Sequence, residues 1–125
     1  MNHPNVDVLQ EIYTDATSLR HRAADDIVLH PADRSLDPVV GMEAVIDHVE
    51  TFNRLTGYTR VMDVQDIVAN DHFGAVLGVL RATINTHDIA MPFCGLWRFH
   101  GGRIIEHWEN PYDAGAIGRA LAASR

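Results

Sequence analysis

A chain of 125 residues, 46% of them hydrophobic, is long enough for one well-covered core and short of two full domains, so residues 1–125 read as a single domain. The net charge of -7, with only ten Lys and Arg, argues against nucleic acid or an anionic membrane as partner, because phosphate recognition needs clustered positive charge; a small ligand fits better. The lone Cys94 excludes an internal disulfide and a Cys-based zinc site; the start MNHPNVDVLQEIY lacks a basic and apolar leader, and the longest apolar run, Phe73–Leu80, is far too short to span a bilayer, so a soluble, cytoplasmic protein is expected.

In chain order, Val6, Leu9, Tyr13 and Ala16 recur at helical spacing and predict an amphipathic first helix starting near an Asn5 cap. Ile27–His30 reads as a short strand. The stretch HPADRSLDPVVG that begins with His30 reads as a loop, since Pro31, Pro38 and two Asp residues break any regular pattern. Met42, Val45, Val49 and Phe52 mark one face of a second helix from about Gly41 to Leu55, with Gly57 as its stop. The period then changes to two. Strands over Tyr58–Ala69 and Phe73–Thr86, joined at Asn70 and Asp71, precede a turn near His87 and Asp88 and a final hairpin. Asp113 can cap a last helix that carries Ile117 and Leu121 one turn apart. Helices first and four long strands afterwards give an α+β fold whose curved sheet wraps helices on its concave side.

The hairpin holds most of the chemistry. Gly101 and Gly102 supply the positive φ angles of a two-residue loop, and the simplest register pairs His100 with Arg103, Phe99 with Ile104, Trp97 with Glu106, Leu96 with His107 and Cys94 with Glu109. That register puts Phe93, Trp97, Phe99, Ile104, Glu106 and Trp108 on one face, and Cys94, Leu96, Arg98, Ile105, His107 and Glu109 on the other. Neither face resembles an ordinary solvated one. The domain's own helices can cover one, and the expected cover for the face bearing Trp97 and Trp108 is a second copy of the chain, making a homodimer.

The order of elements together with the ending GLWRFHGGRIIEHWENPYD resembles the SnoaL-like branch of the nuclear transport factor 2-like superfamily over nearly the whole chain. That resemblance implies a conical fold with a cavity between sheet and helices. It also implies a pocket acid just after the Trp position, here Glu109, a His-Pro element at the first strand, here His30 and Pro31, and a pocket aromatic on the first helix, here Tyr13. Members include polyketide cyclases, ketosteroid isomerases, dehydratases and proteins without known activity. The Arg and Asp that limonene-epoxide hydrolases of the superfamily carry on a central strand have no counterpart in FGAVLGVLRA, which contains no acid, and Pro111 lengthens the spacing from Glu109 to Asp113.

A carboxylate among Cys94, Leu96 and Ile105 is expected to have its pKa raised, since burial removes water that nothing replaces. Glu109 then serves as acid or base, with His107 protonating oxygen or holding the carboxylate, in cofactor-independent cyclisation, isomerisation or dehydration of a small apolar carbonyl compound. His30 and Tyr13 orient polar atoms of the substrate, and Leu96 and Cys94 line the apolar wall. Three alternatives stand beside this reading. Glu109 and His107 are a structural ion pair, or His30, His107 and Glu109 ligate a metal, or the fold binds a ligand without chemistry. His30 equally well bonds only its own loop. His48 reads as a helix-edge residue, and His3, His21, His72, His87 and His100 as surface residues. No Gly-rich phosphate loop, GxSxG elbow or HExxH pair is present.

Overall fold

Pro4 opens the first helix, α1 (Pro4–Thr14), because a residue without an N–H loses nothing in the first turn and its fixed φ already suits a helix. The computed structural model describes residues 2–123; Met1, Ser124 and Arg125 of the expected 1–125 domain lie outside the described residues. The cap of α1 is His3, whose Nδ1 accepts from the Asn5 amide, and not Asn5 as its residue type had suggested. Asn5 is instead buried and donates its side-chain amide to the Asn70 carbonyl at 3.1 Å, tying the start of α1 to a turn of the sheet.

A 3-10 turn (Ala16–Ser18) and the one-turn α2 (Leu19–Arg22) lead into β1 (Ala23–His30), which begins four residues before the expected strand. After the loop comes a short β2 (Val39–Val40) and then α3 (Met42–Leu55), bounded as expected by Gly41 at φ 100° and Gly57 at φ 63°. The meander consists of β3 (Val61–Ala69), β4 (Phe73–Ile84), β5 (His87–His100) and β6 (Arg103–Trp108), followed by α4 (Ala114–Ala122). Tyr58 also has positive φ, which delays β3 by three residues. The β4–β5 turn falls on Asn85 and Thr86, at φ 51° and 68°, two residues earlier than expected, and the Asn85 amide donates to the Ala120 carbonyl, anchoring α4. Asp113 caps α4 as predicted, accepting from the Ala116 amide at 3.1 Å.

The six strands run in the order β2-β1-β6-β5-β4-β3, antiparallel throughout except that β1 lies parallel to β6. The curved sheet is buried on its concave side. Val76 and Leu80 of β4, Phe93 and Phe99 of β5, Ile104 of β6 and Ile27 and Leu29 of β1 meet Leu9 of α1 and Val45 of α3 there. Each fully buried aliphatic side chain in this set contributes roughly 1.5–3 kcal/mol relative to exposure. Among the described residues, no helix is long and apolar enough to cross a membrane.

Hairpin register departs from the simplest reading at one residue. Gly101 and Gly102 turn at φ 58° and 80°, and the first two pairs are those expected, but a bulge at Ile105 then pairs Arg98 with Glu106, Trp97 with His107 and Leu96 with Trp108. The shift has a clear driving force. Without it the Glu106 carboxylate would be forced in beside Trp97, which is 5% exposed, and a buried unpaired charge is strongly unfavourable. With it, Glu106 lies on the outer face, bonded to Arg98 Nε at 3.0 Å and to His30 Nε2 at 2.6 Å. Every residue from Glu106 onward therefore changes face. Trp97 and Trp108 are on opposite sides of the sheet, so the expected aromatic face bearing both does not exist: Trp97 is in the core, and Trp108 stacks on His30 outside.

Candidate active site

The bulge delivers His107 and Glu109 to the concave side, where a cavity of about 690 Å³ opens between the sheet and α1, α3 and α4. Its walls include Leu29, Leu80, Phe93 and Trp97, and its polar groups include Tyr13, His48, Arg60, His107 and Glu109. Glu109 follows β6 by one residue and stays in line with it because its amide donates to the His30 carbonyl. Its carboxylate has two anchors. Oε1 accepts from the Ala32 amide at 3.1 Å, and His48 Nε2 lies 3.3 and 3.2 Å from the two oxygens.

These partners reverse the expected electrostatics. Burial raises the Glu109 pKa, but the His48 hydrogen bond and charge, the nearby His107 and the Ala32 amide together outweigh it and hold the carboxyl below its ordinary value of 4.5. The hydration lost on burial is replaced after all. Conversely, the hydrogen bond to Glu109 raises the His48 pKa above 6.5 against the opposing effect of burial. His48 and Glu109 thus form a carboxylate–imidazole dyad with about 30% side-chain exposure at each member, open to the cavity.

His107 plays a different part. It is stacked on Trp97 with ring centroids 3.6 Å apart, and burial pulls its pKa down to about 4. Its Nδ1 lies 2.8 Å from the Leu96 carbonyl, which can only accept, so Nδ1 carries the proton and Nε2 presents a lone pair. Tyr13 Oη accepts from Trp97 Nε1 at 3.3 Å, and burial raises its pKa well above 10, keeping the hydroxyl protonated. No acceptor for that proton occurs among the described residues, so it is available to a ligand oxygen. Gly95 makes room for this arrangement, since a Cβ there would come within 2.2 Å of the Tyr13 hydroxyl.

Of the residues expected at the site, the structure brings Glu109, His107 and Tyr13 together at the cavity. His30, Cys94 and Leu96 are on the other side of the sheet: His30 is bonded to Glu106 and stacked on Trp108, and Leu96 is 43% exposed. Cys94 and Leu96 lost their expected place because the bulge moved His107 and Glu109 and left β5 where it was. For the same reason His30 cannot converge with His107 and Glu109 on a metal. Two residues were missed. His48 had a legible signal, standing three residues after Val45 on the apolar stripe of its helix, whereas Arg60, at the return from α3 to β3, had none.

A family model for the SnoaL-like domain matches residues 2–107. The chain belongs to the SnoaL-like family. No curated protein matches it in sequence. Among solved structures, a cystatin-like protein of unknown function from Xanthomonas campestris is 19% identical over 97% of this chain and 98% of that one, with a TM-score of 0.80. A candidate SnoaL-like polyketide cyclase from Jannaschia sp. CCS1 is 16% identical over 98% and 97%, with a TM-score of 0.81. IdmH, a candidate polyketide cyclase from Streptomyces antibioticus, is 23% identical over 96% and 99%, with a TM-score of 0.71. At these identities the likeness is one of fold: an α+β domain with a six-stranded curved sheet and helices.

Proposed function

We propose that this SnoaL-like protein is an enzyme that moves a proton next to the carbonyl of a small, largely apolar compound bound in the cavity, giving cyclisation, isomerisation or dehydration without a cofactor. The observation that carries the reading is the His48–Glu109 dyad at the wall of a largely apolar cavity. Glu109 holds His48 and stabilises its imidazolium, so the imidazole is a stronger base than an isolated histidine. The imidazole nitrogen not bonded to Glu109 takes a proton from the carbon beside the carbonyl. The Tyr13 hydroxyl donates to the carbonyl oxygen as it gains charge, and His107 Nε2 accepts from a substrate hydroxyl. Return of the proton from imidazolium to another carbon completes an isomerisation, to a departing hydroxyl a dehydration, and to the alkoxide of a closed ring a cyclisation. His30, on the outer face, takes no part.

Solvent-deuterium incorporation into 2-tetralone, an apolar ring ketone, tests this reading. Wild type is expected to accelerate exchange over buffer, and Glu109→Gln and His48→Gln to lower the rate by about 100-fold or more, with ketone binding by calorimetry retained. Exchange that is equal in wild type and both variants would leave the fold as a binding module only.

The expectation of a homodimer is retained in altered form: we propose that the second copy covers the outer face of the sheet, where Phe73, Leu77 and Leu96 are 57%, 41% and 43% exposed beside Trp108.

A further inference from the structure

Arg60 is a cavity group that has no part in the proton-transfer scheme. It immediately precedes β3, is half-buried, and reaches the cavity that holds Tyr13 and Glu109. Its Nε donates to Asn53 Oδ1 of α3 at 2.6 Å, which fixes the plane of the guanidinium. A guanidinium has five N–H donors, so this bond leaves the end-on fork formed by the two terminal nitrogens. Among the described residues no carboxylate lies within ion-pair distance of Arg60; Arg20, Arg22, Arg81, Arg98 and Arg119 each have one, and Arg34, Arg54 and Arg103, which have none, are exposed whereas Arg60 is half-buried.

The charges around the cavity sharpen the point. His48 and Glu109 cancel when the imidazole is protonated, and burial keeps His107 neutral and Tyr13 protonated. Three acids, Asp15, Asp33 and Glu50, also border the cavity, but all are exposed at its rim and are bonded to Thr17, Ser35 and Tyr58 respectively. With His48 protonated, the inner cavity therefore carries one net positive charge, that of Arg60, within a protein of net charge -7. Partial burial of a cation without a counter-ion is unfavourable unless a ligand supplies one. A planar fork in an apolar surround is matched by a carboxylate, which can accept both terminal N–H groups at once.

We propose that the compound bound in this cavity is a carboxylic acid with an apolar ring-bearing body, and that Arg60, positioned by Asn53, is its specificity-determining residue. The inference rests on the reading of this cavity as the ligand site and names the class of substrate. Arg60 holds the carboxylate through its terminal nitrogens, the apolar walls take the rings, and the reacting carbon is left toward the dyad. Arg60, Tyr13 and Glu109 line the same cavity, so one molecule bound there can meet all three.

The test is binding, not turnover. Calorimetry at pH 7.5 compares 2-naphthoate with 2-naphthamide, a neutral molecule of nearly the same shape. Wild type is expected to bind naphthoate at least tenfold more tightly than the amide. Arg60→Gln is expected to abolish that preference while leaving amide binding unchanged, Arg60→Lys to keep part of it, and Asn53→Ala to weaken it. Equal affinity for the two probes in wild type would overturn the proposal without recourse to any variant, as would a preference that persists in a folded Arg60→Gln protein. Glu109→Gln separates this claim from the catalytic one. It should keep the naphthoate preference while losing deuterium exchange, and a preference lost in Glu109→Gln but kept in Arg60→Gln would place the anion elsewhere and refute the assignment.

Discussion

Lowering the pH should destabilise this protein through His107, and the size of the effect follows from its burial. The imidazole titrates at about 4 in the folded protein against 6.5 when exposed. Above pH 6.5 neither state holds the extra proton and His107 contributes nothing to the pH dependence. As the pH falls through 6.5 the unfolded chain takes up the proton and the folded chain does not, so stability declines until the folded pKa is reached and then levels off. Each unit corresponds to about 1.4 kcal/mol, so a gap of roughly 2.5 units amounts to about 3 kcal/mol in full and about 2 kcal/mol by pH 5. Against the 5–15 kcal/mol typical of a small domain, that is readily measured. The assay is urea unfolding at pH 7.5, 6, 5 and 4.5 on wild type and His107→Gln. Glutamine does not titrate, and its amide can still donate to the Leu96 carbonyl that Nδ1 now serves. Loss of the stack on Trp97 shifts the variant's curve by a constant. The raised pKa of His48 acts in the opposite sense, stabilising below 6.5 and fading as the pH rises through its folded pKa, but it is present in both proteins and cancels in the difference. Curves that stay parallel from pH 7.5 to 4.5 would refute the placement of His107 as a buried neutral imidazole.

Gly95→Ala should drive the Tyr13 hydroxyl away from Trp97 and lower stability by about 1–3 kcal/mol, the usual range for overpacking; an unchanged melting temperature would show that Tyr13 is not held there. Trp108→Glu should convert a dimer to a monomer in sedimentation without altering the cavity, since Trp108 is on the outer face. Wild type that sediments as a monomer at micromolar concentration would eliminate the dimer.

Much of the fold is written in local pattern. Apolar residues every second position from Val76 to Ile84 mark the inward face of β4, the pair Gly101 and Gly102 marks the hairpin, and Gly41 and Gly57 bracket α3. The parallel contact of β1 with β6 is not local, and no short-range signal announces it. The bulge is the instructive case. Ile104 and Ile105 are both apolar, so alternation cannot say which faces inward, and the cue that resolves it is Glu106, a charge that the simplest register would bury. His107 and Glu109 share a face in either register because they are two residues apart, which is why their pairing was legible while their surroundings were not. His48 was legible as a polar residue on an apolar helical stripe, and its meaning emerges only where the fold sets it against Glu109, the residue after β6. Arg60 depends on the path of the chain from helix to sheet and on Asn53, seven residues earlier, and periodicity carries no trace of that.

The central claim is that the His48–Glu109 dyad is the working base, and the pH profile of deuterium exchange into 2-tetralone tests it most directly. With His48 as base and Glu109 raising its pKa, the wild-type rate should climb with pH through an inflection above 6.5, and in Glu109→Gln the residual rate should show that inflection moved downward. An inflection in the carboxylate range below 4.5, or one that does not move when Glu109 is replaced, would contradict the account.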